Sequence, residues 1–195
     1  MTQQHTVISM DSALRAIGRT VVNFQRLEHN LKLAARLGPV QGTLSKINRD
    51  VEKRIERAAT LTLGQSIQAW LSATEAQPAA ASYTPDLFDA TMQMTFSLGA
   101  DAESRSAHAA TLESLLKTRN NLIHGGLVRF PWDSPEECAK LVEELDKVNE
   151  VIRSQMEFFS SILSSITAIR PENVEVALVG HPGQTVLVAN GSSDA

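Results

Sequence analysis

The sequence predicts a mainly α-helical fold, and three observations carry that expectation. Apolar residues recur at three- and four-residue steps through 11–37, 44–76, 103–124 and 135–169. Gly, Pro and capping residues punctuate the joins between these stretches. Period-two alternation, the mark of a half-buried strand, is clearest in 91–98 alone, which leaves open a small two-stranded β ribbon.

In the first stretch Leu14, Ile17, Val21, Phe24, Leu31 and Ala35 form the apolar stripe, Asp11 can cap the start, and Gly38-Pro39 stop it. Glu28 falls where the phase asks for an apolar residue. A carboxylate there is costly unless paired. Glu28 is therefore either an orienting partner for a functional side chain or an edge residue that reaches water. In 44–76, Leu44, Ile47, Val51, Ile55 and Ala58 share one face, while Lys46, Arg49, Lys53 and Arg57 share another. Thr60, Thr62 and Gly64 interrupt the helix propensity, so two helices with a break are expected; Leu63, Ile67, Trp70 and Leu71 would carry the second.

The Ala/Pro-rich 77–85 reads as a loop. Met92, Met94, Phe96 and Leu98 form one face of the expected strand, with Leu127 to Phe130 as a possible partner; such a ribbon needs helices to pack on. Ala107, Ala110, Leu115 and Leu116 mark the helix over 103–124, after which Gly125 is suited to left-handed backbone. Ser134-Pro135-Glu136-Glu137 reads as a capping box opening a long helix, with Leu141, Leu145, Val148, Ile152, Phe159, Ile162 and Ile166 inward and an acidic outer face. Residues 171–195 read as a C-terminal tail, with a hairpin open between 174–178 and 185–188. The expected organisation is one helical domain over 1–170 followed by that tail.

At 195 residues, 43% hydrophobic and 21% charged, the chain has the length and composition of one soluble globular domain. No apolar run approaches a membrane span, the segment MTQQHTVISMDS lacks a signal peptide's basic and apolar regions, and the single Cys138 cannot form an internal disulfide. A cytoplasmic location is expected. The net charge of −4 gives no global sign of nucleic-acid binding, yet the first 57 residues carry +5, leaving −9 for the rest. That asymmetry permits a basic working face, with Lys46, Arg49, Lys53 and Arg57 as candidate RNA contacts; the acids Asp50, Glu52 and Glu56 among them favour an exposed, salt-bridged helix instead. His5, His29, His108 and His181 show no metal-ligand spacing, and neither a cysteine pair nor a nucleotide-binding glycine loop occurs, so no metal and no cofactor are expected.

Chemistry concentrates in Arg119-Asn120-Asn121-Leu122-Ile123-His124-Gly125. Arginine clamps phosphate oxygens with charge-assisted hydrogen bonds, and histidine transfers protons near neutrality. On a regular helix Asn120 and His124 stand roughly 40° apart, close enough for the amide to orient the imidazole. Arg119 and His124 stand roughly 140° apart. They meet at one phosphate only if the helix end distorts or a second subunit completes the site. The blander roles are an ion pair for Arg119, a helix-end contact with the last carbonyls for His124 and cap-region positions for Asn120 and Asn121.

An arginine, a polar residue and a histidine after four intervening residues, at the end of a helix in a helical domain, resemble the HEPN superfamily. Phe24-Gln25-Arg26-Leu27-Glu28 is similar to the Phe-x-x-Leu-Glu run of several HEPN-like families. The resemblance spans 11–169, with about ten specific residues. It implies a HEPN-like antiparallel helical bundle and a metal-independent endoribonuclease, often a toxin or phage-defence effector, acting as a homodimer, with a cognate antitoxin as a further partner. Arg119, Asn120 and His124 would then be the catalytic residues, with Glu28 behind them. The alternative is a non-catalytic HEPN-like helical module that binds a partner protein or nucleotide. The chain is longer than the small toxin members, and the strand and tail are additions to their pattern.

Overall fold

Seven-residue spacing organises the two longest helices. In α5 (Pro135–Thr167), Cys138, Leu145, Ile152 and Phe159 are buried at successive seven-residue steps. In α1 (Met10–Ala34), Ala13, Thr20, Leu27 and Ala34 do the same, with Phe24 and Leu31 buried between them. This spacing keeps one seam of a helix facing a neighbour. The structure, a computed structural model, describes residues 10–37, 40–75, 91–94, 101–125, 127–128, 130–167, 175–178 and 184–188. It is mainly helical, with α2 (Leu44–Thr60), α3 (Leu63–Glu75) and α4 (Ala102–His124) completing the helices and a 3₁₀ turn at Ala35–Leu37 following α1.

The chain divides into two compact units, Met1–Asn30 with Ala102–Phe158, and Leu31–Asp101 with Phe159–Ala195. In the first unit α4 runs antiparallel to α5. The rings of His108 and Phe158 meet at a tilt, centroids 4.6 Å apart, near one end, and Leu122 shares a core with Leu145 towards the other. α1 runs alongside α5 in the same direction, since Ala16 packs with Leu145, Arg19 pairs with Asp146, and Thr20 and Asn23 both meet Asn149. A polar chain is threaded through this seam. Asn23 Nδ2 donates to Asn149 Oδ1 at 2.9 Å, Asn149 Nδ2 donates to Thr20 Oγ1 at 2.9 Å, and Thr20 Oγ1 donates to the Ala16 carbonyl at 2.9 Å. Thr20 and Asn149 are buried, so these bonds replace water that the two side chains lose.

The buried stripe of α1 is rotated from the expected one. Leu14 is 45% exposed, while Ala13, Ala16 and Thr20 are buried. Small side chains mark where helix backbones approach closely, a signal that a search for large apolar residues passes over. Asp11 lies inside the first turn of the helix, not at its cap, and pairs with Arg15 at 2.8 Å. Ser134 does cap α5: the Glu137 amide donates to its Oγ at 3.3 Å. The reciprocal half of the box is absent, because the Ser134 amide donates to the Pro131 carbonyl and the Glu137 carboxylate accepts from Lys140. The outer face of α5 is solvated and partly neutralised by Lys140 against Glu136 and Glu137 and by Lys147 against Glu143.

In the second unit the expected break falls between α2 and α3. Thr62 Oγ1 accepts from the Gln65 amide at 3.4 Å, and Gln65 Oε1 accepts from the Thr62 amide at 2.9 Å, which is a complete capping box. Ile47, Ala58, Leu63, Ile67 and Trp70 are buried, and Trp70 meets Phe159 edge to face at 5.2 Å. A four-stranded sheet has the order β1 (Val40–Thr43), β2 (Thr91–Met94), β4 (Gln184–Val188), β3 (Glu175–Leu178). β1 and β2 are antiparallel with Val40 opposite Met94, β2 and β4 parallel with Thr91 opposite Gln184, and β3 and β4 antiparallel with Glu175 opposite Val188.

The strand in 91–98 thus pairs with residues other than the expected Leu127 to Phe130. Leu127 and Val128 form a turn, and Leu127 packs on the core of Ala16, Leu122 and Leu145. Leu127 covers the first unit's core whereas Val128 is exposed, and the backbone closes on itself, the Phe130 amide donating to the Leu127 carbonyl. The expected stop at Gly38-Pro39, the loop at 77–85 and Phe96 and Leu98 lie outside the described residues.

Candidate functional site

The last two turns of α4 owe their position to Leu122. Its side chain is buried with Ala16 and Leu145 while its neighbours Asn121 and Ile123 are exposed. Ile17 and Val21 of α1 and Leu141 and Val142 of α5 close around that cluster. One apolar anchor inside Arg119–His124 therefore sets the rotation of the whole segment.

That rotation separates the polar residues. The buried face of α4 carries Leu112, Leu115 and Leu122, and helical geometry puts Arg119 within roughly 60° of each of them. Arg119 is accordingly half-buried. His124 points at roughly 120° or more from each of those leucines and is exposed, as is Asn120. The guanidinium does not stay on its own side. Arg119 Nη1 donates to Asn120 Oδ1 at 3.1 Å, which brings it round to the residue one turn before His124.

The helix does not distort at this end. α4 is continuous through His124, and the Gly125 amide donates to the Asn121 carbonyl at 3.1 Å, prolonging the helical ladder. Gly125 does not adopt left-handed backbone, contrary to the expectation from sequence, because it still extends that ladder instead of reversing it. An added methyl group there would meet nothing within 4 Å. The end of the helix therefore does not bring Arg119 and His124 together.

No family model, curated protein or solved structure matches this chain.

Glu28 is half-buried on α1, next to the fully buried Leu27, in the same unit as the motif. With the stripe rotated onto Leu27, Glu28 stands at its edge. Of the run Phe24-Gln25-Arg26-Leu27-Glu28, Phe24 and Leu27 are core and Gln25 and Arg26 face solvent. Lys46, Arg49, Lys53 and Arg57 are all exposed on α2, in the other unit. Among the described residues, no three or more His, Cys, Asp or Glu side chains group as metal ligands, and no helix is long and apolar enough to cross a membrane. Cys138 is buried, with its thiol 3.7 Å from the Trp132 carbonyl, which fits a packing role.

Two features had no clear signature in the sequence. One is the Thr20–Asn149–Asn23 chain, whose members read as ordinary polar helix residues. The other is His108, half-buried against Phe158, where burial holds its pKa below the ordinary 6.5. His108 lies sixteen residues before His124, more than four turns back along α4.

Proposed function

We propose that this chain is a metal-independent endoribonuclease of HEPN type, working as a homodimer in toxin–antitoxin control or phage defence. One observation carries the reading: a guanidinium bonded to Asn120 stands one turn from an exposed imidazole at the end of a firmly anchored helix. In this reading His124 takes the proton of a ribose 2′-hydroxyl, whose oxygen then attacks the adjacent phosphorus. The bond to the 5′-oxygen breaks, and that oxygen leaves with a proton from an imidazolium or water. Arg119 neutralises charge growing on the phosphate oxygens, and Asn120 positions the guanidinium and the imidazole. The products are a 2′,3′-cyclic phosphate and a 5′-hydroxyl.

The test is cleavage of single-stranded, transfer and ribosomal RNA by the whole protein in excess EDTA. Cleavage that persists in EDTA and falls by about 10²–10⁴-fold in His124→Ala supports the reading, at the magnitude usual for a lost acid–base group. Absence of cleavage of every substrate, with and without added divalent cations, sinks it. Glu28 is assigned the role of orienting the motif, and unchanged activity and unchanged stability in Glu28→Gln would remove that assignment.

The unbroken helix favours a second reading, a HEPN-like helical module that binds a partner protein or nucleotide without catalysis. Under it, His124→Ala is silent in the RNA assay, and Arg119→Ala weakens capture of the partner.

A further inference from the structure

Aromatic residues make up only 5% of the chain, yet two of them share the turn that follows the motif. The rings of Phe130 and Trp132 meet edge to face, with centroids 4.7 Å apart and planes at 62°. Both residues are half-buried, so each keeps surface open to solvent, and an edge-to-face pair leaves ring faces that the partner ring does not cover. Backbone bonds hold the turn. The Phe130 amide donates to the Leu127 carbonyl at 3.4 Å, the Trp132 amide to the Phe130 carbonyl at 2.9 Å and the Ser134 amide to the Pro131 carbonyl at 3.0 Å. The Cys138 thiol donates to the Trp132 carbonyl at 3.7 Å. Leu127 seats the start of the turn on the core that also anchors Leu122 of the motif. His124 and Leu127 are three residues apart, at most about 11 Å of extended chain, and the bond from Phe130 returns the backbone to Leu127. The ring pair therefore stands within the reach of a few nucleotides from the imidazole. On the other side of His124, Lys117 and Asn121 are exposed on the same face of α4, all three within roughly 60°, with Lys117 about 10 Å back along the helix.

From this arrangement we infer that the Phe130–Trp132 pair is a stacking platform for an unpaired base of a single-stranded RNA whose backbone crosses His124. The ligand class rests on the ribonuclease reading; the platform adds that the substrate is single-stranded beside the scissile phosphate. Every base presents a π-face to an aromatic ring once it leaves a stack, whereas a duplex keeps those faces inside its own stack. The platform is accordingly tolerant of base identity. Lys117 supplies a compact positive charge on the face the phosphates follow, which suits a strand held by its backbone.

The test titrates the full chain with a 2′-O-methyl adenosine octamer, which lacks the hydroxyl that cleavage needs, and reads tryptophan emission together with the anisotropy of a labelled octamer. Trp70 and Trp132 are the two tryptophans, and Trp70 is 3% exposed, so a stacked base should quench Trp132. Trp132→Phe keeps a ring and should hold affinity within about threefold while the quench disappears, whereas Trp132→Leu should lower affinity about tenfold or more. The octamer annealed to its complement, and an octamer without bases, should leave the emission unchanged. The inference is overturned by no binding, by binding without a quench, by a quench that survives in Trp132→Phe, by a quench from the duplex or the baseless strand, or by affinity unchanged in Trp132→Leu. Cleavage of RNA in EDTA with the same KM in Trp132→Leu would overturn the platform and leave the ribonuclease standing. The expected quench from a protein that cleaves no RNA would do the reverse.

Discussion

Asn149→Ala should destabilise the protein by about 3 kcal/mol. Asn149 is 4% exposed and makes two 2.9 Å side-chain bonds, to Thr20 Oγ1 and from Asn23 Nδ2. A hydrogen bond of this kind contributes about 1 kcal/mol net, so losing both costs about 2 kcal/mol. The space left by the carboxamide, and an Asn23 amide without its acceptor, add about 1 kcal/mol more. For a chain of this length, about 3 kcal/mol corresponds to a fall in Tm of roughly 6–12 °C. The bonds are coupled through Thr20, so Asn149→Ala and Thr20→Val should be non-additive by more than about 0.5 kcal/mol. Replacing both partners, as Asn149→Leu with Thr20→Val, should recover much of the loss, because an apolar pair leaves fewer buried polar groups unpaired. Denaturant unfolding of wild type, the two single variants and the two double variants, with calorimetry, decides the matter. An Asn149→Ala protein within about 0.5 kcal/mol of wild type, or strict additivity of the cycle, would refute a buried, coupled chain between α1 and α5.

Leu122→Ala should cost about 2–5 kcal/mol in denaturant unfolding, the range for a buried leucine, and should also lower RNA cleavage by letting the end of α4 shift. His108 makes stability depend on pH. Its folded pKa lies below the unfolded value of 6.5, so its contribution is fully present above pH 6.5 and is lost as pH falls through the folded value. Stability measured between pH 7.5 and 5 should therefore fall less steeply in His108→Gln than in wild type, and identical slopes would exclude the histidine as a source.

The helices were legible because large apolar residues repeat in phase, and Ile47, Leu63, Ile67, Trp70, Leu145, Ile152 and Phe159 are buried as their spacing foretells. The register of α1 was harder to read. Its seam is built from Ala13, Ala16 and Thr20, residues that hydrophobic periodicity weighs lightly but that allow close helix approach. The strand pairing is not legible in the sequence for a different reason. Leu127 is apolar because it covers a helical core, and a four-residue strand such as β2 carries no local information about which distant segment it will meet. At the motif, the Arg-Asn-x-x-x-His spacing was visible, whereas the direction of each side chain depended on Leu122 finding its core.

That direction sharpens what the motif requires. Arg119 lies in the buried face of α4 and His124 away from it, on a helix that stays regular through Gly125. Either Asn120 relays the arginine to the imidazole within one chain, or the phosphate is held by Arg119 of one copy and His124 of another. Mixing inactive variants separates these routes. In a dimer made of one Arg119→Ala chain and one His124→Ala chain, a shared site on one side lacks both groups while the other has both intact. Random re-association makes half of the dimers mixed, so cleavage should return to about a quarter of wild type if sites are built across a twofold axis. If each site is built within one chain, every site in the mixture lacks a group and no activity returns. Asn120→Ala distinguishes the relay directly: it should then be as damaging as Arg119→Ala, since the 3.1 Å bond that holds the guanidinium beside Asn120 would be gone.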